Sequence, residues 1–305
     1  MNYFLPIMTV LLHRHFFIDW RTLTISLASC FLSSCLHYGH LGMPTAEKLA
    51  NTRQFNLQYY KTPHYDLFGA MKKGSPHEIH FYIEGDGLSW INGMHISMDP
   101  TPYPVTGFEL ATHDKSNATI IYLARPGQFI QDQKTTWQEW TYQRYSSEVI
   151  NTYAYIFKQL SSTFPNAAIS IYGYSGGGAV ALLMAAMIQG KKFKQFERPF
   201  SPYTINFFVE KVVTFSGMLD HKSWTNTLQI ADLTHSFNPP DYADILSTIP
   251  QVHFAGEIDT IVPISVTESY LNALTTKVGI NLIVVKGQDH WNKWGKFWSN
   301  ASENS

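Results

Sequence analysis

A serine with glycine two residues to either side stands between a predicted strand and a predicted helix. The motif is Gly173-Tyr174-Ser175-Gly176-Gly177, preceded by the apolar run 168–172 and followed by the strongly apolar stretch 176–189. A chain that turns so tightly leaves no space for side chains at Gly173 and Gly177, and it lifts the Ser175 hydroxyl above a helix N-terminus. The spacing therefore predicts a nucleophilic serine, and the alternative is a tight turn before a packed helix with no chemistry.

A serine hydroxyl needs a base that removes its proton, and two later loops supply the residue types for it. Asp259 follows the predicted strand 251–255, and His290 follows the predicted strand 281–285. Sites in open parallel sheets form where strands end, so both side chains are expected at the same edge of the sheet as Ser175. We predict His290 as general base and Asp259 as the acid that orients it, in the chain order Ser, Asp, His.

Other histidines and acids compete for these roles. His253 lies inside a predicted strand, which favours a hydrogen-bonded core histidine. His221 and His235 lie in a long stretch between strands, where they could contact substrate. Asp220 follows the preceding strand and is the main rival acid, whereas Asp289 is expected to face solvent or to cap the final helix.

Two backbone amides are candidates for binding an oxyanion. One is the amide of Gly176, which directly follows the serine, and the other is the amide of Asp86 in the Gly-rich loop after the predicted strand 78–83. Carboxylates aimed at a developing negative charge would oppose it, so we expect Glu84 and Asp86 to point away and to hydrogen-bond the loop itself. The alternative for this loop is a turn without a catalytic part.

Short apolar strands alternate with helices along most of the chain. The predicted strands are Glu78–Ile83, Ala118–Leu123, Ala168–Tyr172, Lys211–Phe215, Gln251–Ala255 and Asn281–Val285, and the clearest helices are Ser146–Leu160 and Gly176–Gln189. Continuous apolar strands indicate a buried, mostly parallel sheet covered by helices on both faces, an α/β fold. We predict one such domain over residues 64–300. The stretches 191–210 and 217–250 do not fit the alternation and are predicted as lid-like insertions or binding loops.

The N-terminus has the features of a processing signal. The apolar run Leu23–Leu32 is too short to span a bilayer and suits a signal-peptide core. It ends in Leu32-Ser33-Ser34-Cys35, which resembles the bacterial lipobox. The resemblance implies a signal peptide over residues 1–35, lipid attachment at Cys35 and, with Leu36 in place of an aspartate, the outer rather than the inner membrane of the bacterial cell envelope. A plain signal peptide or a membrane-anchoring helix are the alternatives, and residues 36–63 are predicted as a tether and lead-in.

The composition excludes some classes of partner and site. A formal net charge of −1 argues against nucleic acid, because binding phosphates needs a basic excess or stripe. No cysteine follows Cys35, so the folded part has no disulfide, thiol nucleophile or cysteine metal site. No cofactor and no metal are predicted, and the oligomeric state is left open.

Several stretches together resemble the α/β-hydrolase superfamily over roughly residues 78–298. A narrower similarity, to a group of bacterial α/β-hydrolases of poorly defined substrate, is carried by Tyr82-Ile83-Glu84-Gly85-Asp86-Gly87, Asp99-Pro100-Thr101-Pro102, Tyr122-Leu123-Ala124-Arg125-Pro126, Trp140-Thr141 with Arg144 and Ser146, and Ser236-Phe237-Asn238-Pro239. That group often has a cysteine where Gly127 stands, which implies that a disulfide is missing here. The resemblance implies the α/β-hydrolase fold and the Ser-Asp-His triad, and it says little about substrate.

Three classes of function follow from these residues. The first is a carboxylic ester hydrolase that acts on a small-molecule ester or acyl substrate through an acyl-enzyme on Ser175. An amidase or peptidase would use the same triad. The second class is a non-catalytic binding protein on a hydrolase scaffold, and the third is a structural lipoprotein whose membrane anchor is its main role. Aromatic residues such as Trp137, Trp140, Trp224 and Phe237 are expected either to line an apolar pocket or to belong to the core.

Overall fold

The computed structural model describes residues 41–91, 93–130, 132–190 and 202–301. The predicted signal peptide, with the lipidation residue Cys35, lies outside the described residues. The same holds for 191–201, most of the first predicted insertion. No helix in the described ranges is long and apolar enough to cross a membrane.

An eight-stranded sheet forms the centre of the protein. Its strands are β1 (Asn56–Tyr60), β2 (Leu67–Lys72), β3 (Ser75–Ile83), β6 (Ala118–Leu123), β7 (Ala168–Tyr174), β8 (Phe208–Phe215), β9 (Gln251–Gly256) and β10 (Ile280–Val285). They are ordered β1-β2-β6-β3-β7-β8-β9-β10, and all neighbours from β6 to β10 pair in parallel. Only β2 runs against the other strands of this sheet, and it pairs antiparallel with both of its neighbours, β1 and β6. A separate hairpin joins β4 (Trp90–Ile91) to β5 (His95–Ile96). The mostly parallel sheet predicted from the sequence is confirmed.

Helices cover both faces of this sheet, as predicted. They are a helix over residues 41–53 (α1), α2 (Thr106–Thr112), α3 (Ser147–Thr163), α4 (Gly176–Gly190), α5 (His221–Leu228), α6 (Ala243–Leu246), α7 (Ile264–Ala273) and α8 (Trp294–Ala301). Side chains alternate along a strand, so the two faces build two cores. Phe81 of β3 packs in the core with α3 and α4, whereas its neighbour Tyr82 packs in the core with α1, α2 and α8.

The sequences of α3 and α4 explain why each is a helix in its place. Ser146 caps α3, because its hydroxyl accepts a hydrogen bond from the Val149 amide at 3.3 Å. α3 then buries one apolar stripe and exposes the other side. α4 is buried all round from Gly176 to Ile188, which matches its almost unbroken apolar sequence.

Residues 41–63, the described part of the segment predicted as a tether and lead-in, are folded. Residues 41–53 form α1, which buries Ala46 and Ala50 against the sheet, and Asn56–Tyr60 form β1, which pairs with β2 along its whole length. Strand β1 is an edge strand with a half-exposed, partly polar sequence, so it lacks the apolar run by which the inner strands are recognised. The folded unit therefore begins before residue 64.

The stretch 217–250 contains α5, a short 3₁₀ helix at Pro239–Tyr242, and α6. Trp224 and Leu246 are buried within it. This stretch thus packs on the domain as short helices, and its action as a lid stays a prediction.

Phe55 offers a test of whether the segment before residue 64 is part of the fold. Its ring is buried and packs edge-on against Phe108 of α2, with centroids 5.3 Å apart. Phe55→Ala should lower the free energy of unfolding by about 3 kcal/mol, as truncation of a buried aromatic does. Urea unfolding would measure this, with the neighbouring exposed Asn56→Ala as control. Equal stabilities of the two variants would show that the segment is a tether after all.

Candidate active site

Ser175 lies in the turn between β7 and α4 and has a left-handed backbone conformation, with φ of 50°. Its amide donates to the Phe215 carbonyl at 2.9 Å, which ties the turn to β8. A Cβ atom on Gly173 would overlap the Gly177 carbonyl, and one on Gly177 would overlap the Ile83 carbonyl of β3. The two glycines therefore stand where the closest backbone approaches occur.

Three side chains from three loops form a continuous hydrogen-bonded chain. His290 Nδ1 lies 2.8 Å from Asp259 Oδ2, and His290 Nε2 lies 3.0 Å from Ser175 Oγ. Since the carboxylate can only accept, Nδ1 carries the proton that it receives, and in a neutral ring Nε2 is free to accept the hydroxyl proton of Ser175. The loops follow β7, β9 and β10, so all three side chains meet at the carboxyl edge of the sheet, and all three are buried.

The surroundings of Asp259 and His290 fix both in place. Asp259 Oδ1 accepts from the amides of Ile261 and Val262, each at 2.9 Å. Burial raises the pKa of the Asp259 carboxyl, but the hydrogen bond and charge of His290 outweigh this, and the pKa lies below its usual value. The His290 carbonyl accepts from the Tyr174 hydroxyl at 2.8 Å and from Trp294 Nε1 at 3.1 Å. The arrangement holds an ionised carboxylate against the imidazole.

The rival residues are engaged elsewhere. Asp220 caps α5, where its carboxylate also accepts from Asn238 and Ser269. His253 is a core histidine, 2.8 Å from Thr214 Oγ1, and burial lowers its pKa to about 3. His221 lies 3.3 Å from the Ser236 carbonyl.

The last two rivals lie near the surface. Asp289 accepts from the amides of Trp291 and Asn292 in the turn before α8. It does not cap that helix, which begins at Trp294, so of its two predicted roles the solvent-facing one fits. His235 is exposed in the stretch 217–250. None of the five rivals forms a hydrogen bond with Ser175.

The two predicted oxyanion amides have no partner in the described part of the chain. Neither the Asp86 amide nor the Gly176 amide donates a hydrogen bond there. Gly85 brings the loop after β3 against the serine, since a Cβ on Gly85 would lie 3.1 Å from Ser175 Cβ. Two unused donors beside a serine hydroxyl could receive an oxyanion.

The two carboxylates of this loop are placed differently. Glu84 agrees with the prediction: its oxygens accept from the amides of Gly85, Gly107 and Phe108 and from the Tyr122 hydroxyl, at 2.9–3.3 Å. Burial nevertheless raises its pKa above the usual value.

Asp86 does not hydrogen-bond its own loop with its carboxylate, and here the prediction was wrong. Its Oδ1 accepts from Arg125 at 2.8 Å, its Oδ2 accepts from Arg144 at 2.5 Å, and the carboxylate lies directly against the Cα of Gly176. The carboxylate therefore lies beside the serine, and it is compensated by two cations instead of being turned away.

The Asp86–Arg125–Arg144 cluster is nearly buried and carries a formal net charge of +1. Burial raises the pKa of Asp86, but attraction to Arg144 and Arg125 outweighs it, and the pKa is below its usual value. Arg125 also donates to the Arg144 carbonyl at 2.6 Å, and Arg144 stacks over Trp224. Sequence reasoning assigned no role to either arginine. Both lie in the stretches that carry the family resemblance, and that was the only signal for them.

A cavity of about 610 Å³ opens above Ser175 and His290. Its walls are mainly apolar and aromatic and include Trp90, Tyr142, Trp224, Leu228 and Trp291. Of the four aromatic residues named from the sequence, Trp224 lines the cavity. Among the described residues, no group of three or more His, Cys, Asp or Glu side chains is arranged to hold a metal ion.

The ionic cluster predicts a specific dependence of stability on pH. The pKa of Asp86 is lowered by folding, so its stabilisation is complete above the ordinary aspartate pKa near 4 and is lost as the pH falls through the lower folded value. Asp86→Asn should cost about 3 kcal/mol at pH 7, since it leaves two buried cations unpaired, and the gap to wild type should narrow below about pH 4.

Urea unfolding as a function of pH measures this gap. Asp241→Asn is the control, because it breaks an exposed pair with Lys222 and should cost below about 1 kcal/mol. A gap for Asp86→Asn that stayed constant down to pH 3 would mean that the carboxylate is not held ionised by the arginines.

Solved structures with a similar fold include several hydrolases. Est1E from Butyrivibrio proteoclasticus is 10% identical over 81% of this chain and 96% of its own, with a TM-score of 0.53. Dienelactone hydrolase from Anabaena variabilis is 14% identical over 82% and 95%, with a TM-score of 0.51. A puromycin hydrolase is 14% identical over 82% of this chain but 38% of its own, with a TM-score of 0.55. At these identities the likeness shows the α/β-hydrolase fold alone.

Sequence comparison gives the family. No curated protein sequence is a significant match to this chain. Residues 100–290, by contrast, match the family described as serine hydrolase (FSH1). Because that match covers more than half of the chain and contains Ser175, Asp259 and His290, we conclude that the protein is a member of this family of serine hydrolases.

Proposed function

We propose that the protein hydrolyses carboxylic esters, with Ser175 as nucleophile, His290 as general base and Asp259 as the orienting acid. The observation that carries the proposal is the buried hydrogen-bonded chain from Asp259 through His290 to Ser175 at the bottom of an apolar cavity. Each member has the partner that its role requires.

The proposed reaction has two halves. His290 Nε2 takes the hydroxyl proton as Ser175 Oγ attacks the ester carbonyl, and Asp259 stabilises the imidazolium that forms. The amides of Gly176 and Asp86 bind the oxyanion of the tetrahedral intermediate, next to an ionic cluster of net positive charge. The alcohol leaves with the proton from His290. Water, activated by the same histidine, then releases the acid from Ser175.

Amide hydrolysis is the closest alternative, because the triad would be the same. The fold is also that of a puromycin hydrolase, so fold does not separate the two reactions. The cavity favours esters with apolar groups. Among the described lining residues, the acidic and basic side chains are Glu84, Asp86 and Arg144. They bind one another or the backbone and are not free to bind a peptide terminus. A non-catalytic binding protein would not need a histidine hydrogen-bonded to both a carboxylate and a serine hydroxyl.

Substitutions at the triad test the assignment. Ser175→Ala should abolish turnover of p-nitrophenyl esters and labelling by a fluorophosphonate while the protein stays folded. His290→Ala should be comparably damaging, because the triad acts as a unit. Asp259→Asn should reduce kcat by about 10⁴. Asp220→Asn should reduce it far less, because it changes the capping of α5 and not the triad. Wild-type turnover in Ser175→Ala, or a mild Asp259→Asn beside a crippling Asp220→Asn, would contradict it.

A graded set of substrates then separates esterase from amidase. We expect turnover of p-nitrophenyl esters of several chain lengths and little turnover of the matched p-nitroanilides. Faster cleavage of the anilides would assign the protein to the amidases.

We also propose export and lipid attachment at Cys35, supported by the apolar run Leu23–Leu32 and the lipobox-like Leu32-Ser33-Ser34-Cys35. Two or more acyl chains anchor a protein stably, whereas a single one binds only marginally. The mature protein should therefore fractionate with membranes, the outer rather than the inner one. Cys35→Ser should be released or remain unprocessed, with unchanged ester turnover. Mass spectrometry of the mature N-terminus decides, since an unmodified Cys35 or cleavage elsewhere would contradict the assignment.

A further inference from the structure

Large apolar side chains are exposed around the mouth of the cavity that leads to Ser175. Tyr103, Ile230, Ile261 and Trp291 line the cavity and yet are 39–49% exposed. Met94 and Met98, 75% and 89% exposed, lie in and just after the β4–β5 hairpin, which forms one wall of the cavity. We call these six residues the mouth collar. Single exposed apolar residues are ordinary, but four at one opening, with two more on the adjoining hairpin, mark an interaction surface.

The chemistry of the mouth restricts what it can dock on. Among the described residues, the cavity lining contains no lysine. Of its charged residues, Glu84 and Arg144 are buried and Asp86 is nearly so, and none of the three lies at the rim. A protein seated on the mouth collar would cover this opening to Ser175. A lipid surface would instead bury the collar and could supply substrate through the same opening.

The position of the first helix supports the lipid surface. The backbone of Gly42 in α1 packs so closely on Thr101 and Pro102 that a Cβ on Gly42 would lie 2.7 Å from the Pro102 carbonyl oxygen, and Pro102 lines the cavity. Six peptide units connect Cys35 to Leu41, which is at most about 20 Å of extended chain. A lipid on Cys35 would therefore hold the membrane surface within reach of the mouth.

We propose that the mouth collar docks on a lipid bilayer. The substrates are then water-insoluble esters held in that bilayer, such as acyl lipids. The inference rests on the proposed ester hydrolysis and adds its substrate class and the orientation of the site. The reaction is unchanged, because water cleaves the ester into acid and alcohol. The apolar part of the substrate passes directly from the bilayer into the apolar cavity, so it is not exposed to water on the way.

Binding to vesicles tests the collar by comparing variants that share the same N-terminal segment and lack the lipid on Cys35. The full chain with Cys35→Ser is mixed with phosphatidylcholine vesicles, and the bound fraction is measured by flotation. We expect binding, and Met94→Asp with Met98→Asp should weaken it about tenfold or more, because two apolar contacts are replaced by charges. Val278→Asp is the matched control: Val278 is 84% exposed but precedes β10, at the opposite edge of the sheet from Ser175. No binding by Cys35→Ser, or equal loss in the control, would overturn the proposal.

Turnover provides the second measurement. Active protein is first counted by fluorophosphonate labelling, and the same variants are assayed on soluble p-nitrophenyl acetate and on p-nitrophenyl palmitate embedded in the vesicles. The double variant Met94→Asp, Met98→Asp should hydrolyse the soluble acetate at the wild-type rate. It should hydrolyse the embedded palmitate about tenfold more slowly. Equal turnover of the embedded ester by this variant and the control would overturn the docking proposal. A wild-type protein that neither labels nor cleaves the soluble ester would instead refute the proposed function.

Discussion

The turn between β7 and α4 has no space for a side chain two residues before or two residues after Ser175, and the arrangement of the site depends on this. Gly177 can approach the Ile83 carbonyl only because β3 is the direct neighbour of β7 in the sheet. That adjacency brings the loop after β3 against the serine, with Gly85 in contact with it and Asp86 against Gly176. The close packing that places Ser175 in this turn therefore also brings the second candidate amide to the site.

Bringing this loop so close creates an electrostatic problem, since it contains two acids. Each is stabilised in its own way. Glu84 accepts hydrogen bonds at the start of α2, where backbone amides have no helical partner. Asp86 is bound by two arginines that are 39 and 58 residues away in sequence. Because the cluster carries more positive than negative charge, the carboxylate beside Gly176 does not make the surroundings of Ser175 negative. We infer that Arg125 and Arg144 stabilise the buried carboxylate of Asp86 and so allow an acid in this loop.

The sequence predicts those parts of the structure that local patterns encode. The inner strands are continuous apolar runs because both faces are covered, and β6 was predicted with its observed bounds. The residue types and order of Ser175, Asp259 and His290 predict the three loops that the structure brings together. The edge strand β1 has no such run, and its pairing with β2 became visible only in three dimensions. The ion pairs of Asp86 could not be predicted, since the partner of a buried charge is chosen by the fold and not by neighbouring residues.

Asp220 explains how the wall of the cavity is positioned. It stands at the carboxyl end of β8, one strand from Asp259, so sequence reasoning ranks it as a rival acid. Its carboxylate instead starts α5 and binds Asn238 and Ser269, which fixes α5 with Trp224 at the cavity. Trp224 Nε1 then donates to the Ile261 carbonyl at 2.7 Å, in the loop that holds Asp259. Asp220, the main rival acid, thus positions a wall of the cavity. That wall is hydrogen-bonded directly to the loop that contains Asp259, the residue that orients His290.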